Sequence, residues 1–201
     1  MNVALVDYGA GNVRSVIKAL TAVGAAVDVV DRAESLEGAQ AIIIPGVGHF
    51  STTASLGAAW RDQVRRALDR GSTLLGVCVG LQWLFEGSAE APNVPGFGAM
   101  PGHCFRLAGD VKVPHVGWNT IEKIRSSRLL EGIPDGASAY FTHSYAAPVV
   151  ADTIAVTTHA APFSAAVERD RIFGAQFHPE KSGETGLAML RNFLRIAGEA
   201  S

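Results

Sequence analysis

The chain has 201 residues, 48% hydrophobic and 18% charged, with a formal net charge of −2. This suits one domain with a substantial core, and the near-neutral charge gives no electrostatic basis for nucleic acid or an anionic membrane as partner. The longest weakly interrupted apolar run, STLLGVCVGLQWLF, is glycine-punctuated and too short to span a bilayer, and the two cysteines, Cys78 and Cys104, sit in unlike contexts that do not suggest a disulfide framework. The opening MNVALVD has no basic residue before Asp7, unlike a secretory leader, so a reducing cytoplasm is the expected location.

Taken in chain order, NVALVD is a short apolar run, followed by YGAGN and then Val13, Ile17, Leu20 and Val23 at helical spacing. AVDVV and QAIIIP read as further buried strands. Leu56, Trp60, Val64 and Leu68 recur every four residues and predict an amphipathic helix. STLLGV is then a strand, and LQWLF opens the next helix. This alternation predicts a doubly wound, mostly parallel central sheet of flavodoxin-like type, flanked by helices. After Gly87 a Pro- and Gly-rich stretch leads into HCFRL, VKVPHVGWNTI, SAYFTHSYAA, TIAVTTH, SAAVE and IFGAQF. These pieces predict antiparallel hairpins and edge strands rather than crossover units. Residues 183–197, with Leu187, Leu190, Phe193, Leu194 and Ala197 on one face, predict a closing helix. No repeat, linker or low-complexity tail divides the chain, so a single domain over 1–201 is expected.

Cys78 falls between an apolar strand and a helix, with Gly76 and Gly80 on either side. That G-x-C-x-G pattern has the logic of a nucleophile elbow, in which the flanking glycines allow a cramped backbone to present the side chain at the carboxyl end of the sheet. The helix N-terminus favours the thiolate, and the Val79 N–H points toward space where an oxyanion would form. Gln82 lies one helical turn on and overlooks the same pocket. A lone cysteine is more often a small buried hydrophobe, and Cys104 is read that way.

A thiol nucleophile needs a base, and the GAQFHPEKSG stretch offers one in His178. Glu180 is placed to hydrogen-bond the second ring nitrogen, the i, i+2 spacing being that of side chains sharing a face at an extended strand end. His49, His103, His115, His143 and His159 show no Cys/His spacing of a zinc site, so neither metal nor cofactor is expected. YGAGN lacks the Lys-Ser/Thr of a P-loop and the full G-x-G-x-x-G.

GVCVGLQ together with FHPE resembles the class I (triad) glutamine amidotransferases. DYGAGN, PGVGHF, KVPHVGWN, YFTHSY and QFHPEKSGETGL extend the resemblance to the glutaminase subunits of imidazole glycerol phosphate synthase. The resemblance implies hydrolysis of L-glutamine to glutamate and ammonia, with Cys78 as nucleophile, His178 as proton shuttle and Glu180 as its orienter. It implies Val79 as first oxyanion donor, with Val47 or Gly48 of the PGVG turn as second. Gln82, Gly48, Ser144 and Tyr145 match positions that hold the substrate's amino-acid head, and Tyr140 is expected to line the same region. The implied partner is a (β/α)8-barrel cyclase subunit in a heterodimer, which uses the ammonia to make imidazole glycerol phosphate and AICAR in histidine biosynthesis. Asn12, Trp118 and Lys181 match positions at that interface. Trp118 reads equally well as a core residue, whereas Lys181 must be solvated or paired. The rival readings are the glutaminase of another synthase, and a non-catalytic flavodoxin-like protein whose Cys78 is only a redox-sensitive thiol.

Overall fold

A computed structural model describes residues 1–199 of the chain. In chain order its elements are β1 (Asn2–Val6), α1 (Val13–Ala22), β2 (Ala26–Val30), β3 (Ala41–Ile44), α2 (Ala58–Asp69), β4 (Thr73–Val77) and α3 (Val79–Leu84). The second half adds β5 (Gly87–Ser88), β6 (His103–Arg106), β7 (His115–Lys123), β8 (Ala137–His143), β9 (Tyr145–Ala146), β10 (Thr153–His159), β11 (Ala161–Arg169), β12 (Ile172–Ala175) and α4 (Gly183–Gly198).

Nine strands form one sheet in the order β2-β1-β3-β4-β12-β11-β10-β7-β8, while β5, β6 and β9 form a small second sheet. The pairings from β2 through β12 are parallel, and those from β12 to β8 are antiparallel. The interior parallel strands β1, β3 and β4 are buried on both faces because helices cover both. Val3, Leu5, Ile43 and Leu75 face α1 and α4, whereas Ala4, Val6, Ile42, Ile44 and Leu74 face α2. Each large aliphatic side chain removed from water in this way stabilises the fold by about 1.5–3 kcal/mol.

Four expectations change in detail. AVDVV is not a buried strand: β2 is the sheet edge, and only Val30 is fully buried in it. IFGAQF is only half of a hairpin, since β12 pairs antiparallel with β11 but parallel with β4, whose second edge would otherwise be open. Leu56 lies ahead of α2 and closes a 3-10 turn, Phe50–Ser55, with Gly57 capping the helix proper. In α4 the buried stripe is Gly186, Met189, Leu190, Phe193, Ile196 and Ala197, leaving Leu187 and Leu194 half-buried.

The glycines of the cysteine motif are needed for space. A Cβ on Gly80 would stand 1.9 Å from the Ile44 carbonyl oxygen, and one on Gly76 would stand 2.4 Å from the Gly80 carbonyl oxygen. Both distances are far inside van der Waals contact, so α3 rests directly on the ends of β3 and β4. That close seat aims the start of α3 at the carboxyl end of the parallel strands.

Candidate active site

Cys78 bridges β4 and α3 with φ 54° and ψ −108°, a left-handed backbone that non-glycine residues rarely occupy. Such a conformation costs on the order of 1–3 kcal/mol and persists only where its surroundings impose it. Here the Cys78 N–H donates to Ala175 O at 2.7 Å, and the Gln82 N–H donates to Cys78 O at 3.1 Å. The elbow is therefore tied to β12 on one side and to its own helix on the other.

His178 follows β12 at the same end of the sheet. Its Nδ1–H donates to Glu180 Oε1 at 2.8 Å, with both side chains buried, 1% and 2% exposed. The extended i, i+2 geometry expected for this pair is not what forms. Pro179–Lys181 is a 3-10 turn with His178 as its N-cap, and the fixed φ of Pro179 at its first position favours that turn. The His178 backbone is fixed on β8: its N–H donates to Tyr140 O, and its carbonyl accepts from the Ser182 hydroxyl at 2.6 Å. His178 Nε2 is buried, with no hydrogen-bond partner of good geometry among the described residues. Burial opposes the imidazolium, but interaction with the Cys78 sulfur, through charge and a hydrogen bond, and then with Glu180 outweighs it and raises the pKa well above its ordinary value.

A cavity of about 210 Å³ opens over Cys78. Of the residues expected there, Gly48, Cys78, Val79, Gln82, Ser144 and Tyr145 line it. Val47 does not, and is half-buried behind the turn. Gly48 adopts φ 94° with open space around it, whereas Gly46 is hemmed in: a Cβ there would meet Val79, Gly80 and the Tyr8 hydroxyl within 2.8 Å. Conformational freedom in this turn thus belongs to Gly48 alone. Tyr140 also departs from expectation. Its ring is not in the cavity wall but packs edge-on to Trp118 at 6.0 Å, with Lys181 Nζ 5.6 Å from its centre. Trp118 is 59% exposed and Val116 57%, so the core reading of Trp118 fails. They share a β7 face with each other because strand side chains alternate, and Trp118 pairs with Tyr140 across to β8. Asn12 occupies the N-cap position of α1 without a side-chain capping bond, and α1 packs against the Pro179–Lys181 turn.

Several cavity residues went unnoticed in the sequence. Glu90 reaches it and accepts the Phe50 N–H at 2.8 Å, although a lone acid in a Pro- and Gly-rich loop carries no pattern. Pro114, Thr142 and His143 complete the wall. A larger, shallow groove of about 780 Å³ along Lys123, Arg125, Arg128 and Glu168 shares no residue with this cavity, and Arg128 and Glu168 pair with each other at 3.0 Å.

His143 belongs to a relay whose proton positions follow from its acceptors. The Tyr145 carbonyl can only accept, so His143 Nδ1–H donates to it at 2.9 Å. His143 Nε2 is then an acceptor for His115 Nδ1–H at 3.3 Å, and His115 Nε2 accepts from Asn119 Nδ2 at 3.3 Å. Protonating either ring would set N–H against N–H. Burial, with the charge of His159 on His115 and of His115 on His143, lowers their pKa values to about 4 and about 3. The unfolded chain, with ordinary values near 6.5, binds more protons than the folded one across that window. The stability these two rings contribute is therefore full above pH ~6.5 and is lost as pH falls toward 4 and 3. Urea-unfolding midpoints measured from pH 7 to pH 4 should fall steadily. His115→Phe should flatten the decline by up to about 1.4 kcal/mol per pH unit.

A strained cysteine between strand and helix, facing a buried His–Glu pair at the carboxyl end of a mixed sheet, is the arrangement of a thiol-dependent amidotransferase. The chain belongs to the class I glutamine amidotransferase family, whose model matches residues 4–197. Within it, the chain is 48% identical to imidazole glycerol phosphate synthase subunit HisH of Deinococcus radiodurans, over 96% of this chain and 93% of that protein. It is 43% identical to the same subunit of Thermococcus kodakarensis, over 96% of this chain and 100% of that one. A solved glutamine amidotransferase shares the fold with a TM-score of 0.74 at 23% identity, over 97% and 98% of the two chains.

Proposed function

We propose that this chain hydrolyses the side-chain amide of L-glutamine and delivers the ammonia to a (β/α)8-barrel cyclase subunit in histidine biosynthesis, acting as one domain of a cytoplasmic heterodimer. The observation that carries this reading is the buried His178–Glu180 pair beside Cys78 at its strained elbow. Cys78 Sγ attacks the amide carbon, and the developing oxyanion is met by the Val79 N–H, at the first helical position with no intrahelical acceptor, and by a second N–H from the 47–48 peptide. His178 gives its Nε2 proton to the leaving nitrogen, which departs as ammonia, leaving a glutamyl thioester. Water then attacks the thioester, with His178 taking its proton, and glutamate and the free thiol are released. Glu180 keeps the ring in the orientation this shuttle needs.

The head of the substrate finds complementary groups. Gln82 Oε1 is a buried acceptor with no hydrogen-bond partner among the described residues, and the Glu90 carboxylate reaches the same cavity. Together they suit an α-ammonium group, while Ser144 and Tyr145 suit the α-carboxylate.

The partner surface is the exposed patch of Val116, Trp118, Tyr140 and Lys181, with Asn12 nearby. Exposed aromatics of this size are disfavoured on a free surface and favoured at interface centres. The relatives named as synthase subunits make the cyclase the partner of choice. Mixing the chain with the cyclase subunit should give a one-to-one complex by analytical ultracentrifugation and raise ammonia release from glutamine. Trp118→Ala should weaken that complex about 30-fold or more, the loss expected of a buried interface tryptophan. Unchanged affinity would remove this patch from the interface.

A further inference from the structure

We propose that Gln176 is a positioning residue that holds Cys78 Sγ in its anionic, attacking form through an amide N–H. The inference deepens the glutaminase reading and rests on Cys78 being its nucleophile. Gln176 lies in the same GAQFHPE stretch as the base, two residues before His178, and is fully buried. A primary amide in such a place is costly unless both of its ends are satisfied. Its Nε2 lies 3.7 Å from Cys78 Sγ, and its Oε1 lies 3.2 Å from Gln82 Nε2.

The orientation of the amide follows from its neighbours. Gln82 Nε2 sits 2.7 Å from the Tyr145 carbonyl, which only accepts, so that end of Gln82 must be the nitrogen. Its second N–H then requires an acceptor from Gln176, which puts the Gln176 oxygen toward Gln82 and the Gln176 nitrogen toward the sulfur. The residue is also held in place from behind, because its backbone N–H donates to Ala165 O at 2.9 Å. The donor is thus rigidly aimed.

An N–H donated to sulfur is stronger when the sulfur is anionic, so the contact favours thiolate over thiol. The opposing contact is the Thr142 carbonyl, an acceptor that would hold an S–H, but at 4.0 Å it is the longer of the two. Gln176 therefore acts on the same proton equilibrium as His178. It also links the nucleophile to Gln82 and Tyr145, the residues assigned to the substrate's head.

The test uses the full chain without glutamine, so a failure of the glutaminase assay bears on the proposed function and leaves this comparison intact. Gln176→Met removes both polar ends, and Gln176→Glu keeps the acceptor for Gln82 while replacing the N–H with an oxygen. The rate of Cys78 alkylation by iodoacetamide is followed against pH by mass spectrometry of the Cys78 peptide, with the buried Cys104 peptide as internal control. Both variants should alkylate about tenfold more slowly at neutral pH, with the profile displaced to higher pH, as expected for loss of one charge-assisted hydrogen bond. A role in packing alone would spare Gln176→Met, which fills a similar volume, and would leave its profile where the wild type's lies. If Gln176→Met does not melt cooperatively, Gln176→Glu decides the matter. A Gln176→Glu profile superimposed on the wild-type one overturns the proposal.

Discussion

Cys78→Ala should abolish glutamine hydrolysis, with turnover falling by about 10⁴-fold or more, as for loss of a nucleophile in other covalent mechanisms. The change deletes one sulfur from a buried site and leaves the backbone bonds of the elbow, Cys78 N–H to Ala175 O and Gln82 N–H to Cys78 O, untouched. The strained φ of 54° is as tolerable for alanine as for cysteine, so the fold should survive. Activity and stability therefore separate in this variant. Glutamate formation by the complex with the cyclase subunit is the readout, and cooperative thermal unfolding is the control. Residual ammonia release near the wild-type rate would remove Cys78 from the mechanism.

The second large effect is at His178, and its partner Glu180 sets the contrast. His178→Ala should lower turnover by about 10⁴-fold, the upper end of what a positioned proton shuttle contributes. Glu180 touches the ring only at Nδ1, 2.8 Å away, and has no part in the proton's path. Glu180→Ala should therefore leave measurable activity, roughly 10–100 times that of His178→Ala. A buried carboxylate removed from beside a buried imidazole also destabilises the ring's charged form. The activity left in Glu180→Ala should accordingly fall off at lower pH than that of the wild type. Equal losses in the two variants would mean that Glu180 does more than orient the ring.

What the sequence made legible was what local geometry dictates. Gly76 and Gly80 around Cys78 declare a crowded turn, and the structure shows the two contacts, with Gly80 O and with Ile44 O, that exclude any larger residue. The alternating strand and helix patterns gave the parallel half of the sheet. What depended on long-range order was less readable. AVDVV has the composition of an interior strand, and only the strand order places β2 at the edge. IFGAQF looked like a hairpin arm because its parallel neighbour, β4, lies nearly a hundred residues away in the chain.

The site divides in the same way. Cys78, His178 and Glu180 were readable because short motifs carry them. Glu90 was not, since its place over Cys78 is set by where the loop after β5 folds back onto Phe50. Gln176 carries no motif of its own beside a conspicuous histidine, and its orientation is fixed only by Gln82, 94 positions away. Tyr140 was assigned to the cavity by proximity in the chain to Ser144 and Tyr145. Strand β8 carries its ring instead to the surface shared by Trp118 and Lys181.

If ammonia released at Cys78 is delivered to the cyclase as proposed, its nitrogen should enter the product in preference to ammonium from bulk solvent. The most direct measurement supplies the complex with glutamine labelled with nitrogen-15 at the amide, in excess unlabelled ammonium, and examines the imidazole glycerol phosphate formed. The account predicts product carrying the label, and none when the chain bears Cys78→Ala. Product carrying unlabelled nitrogen in proportion to the ammonium pool would contradict it.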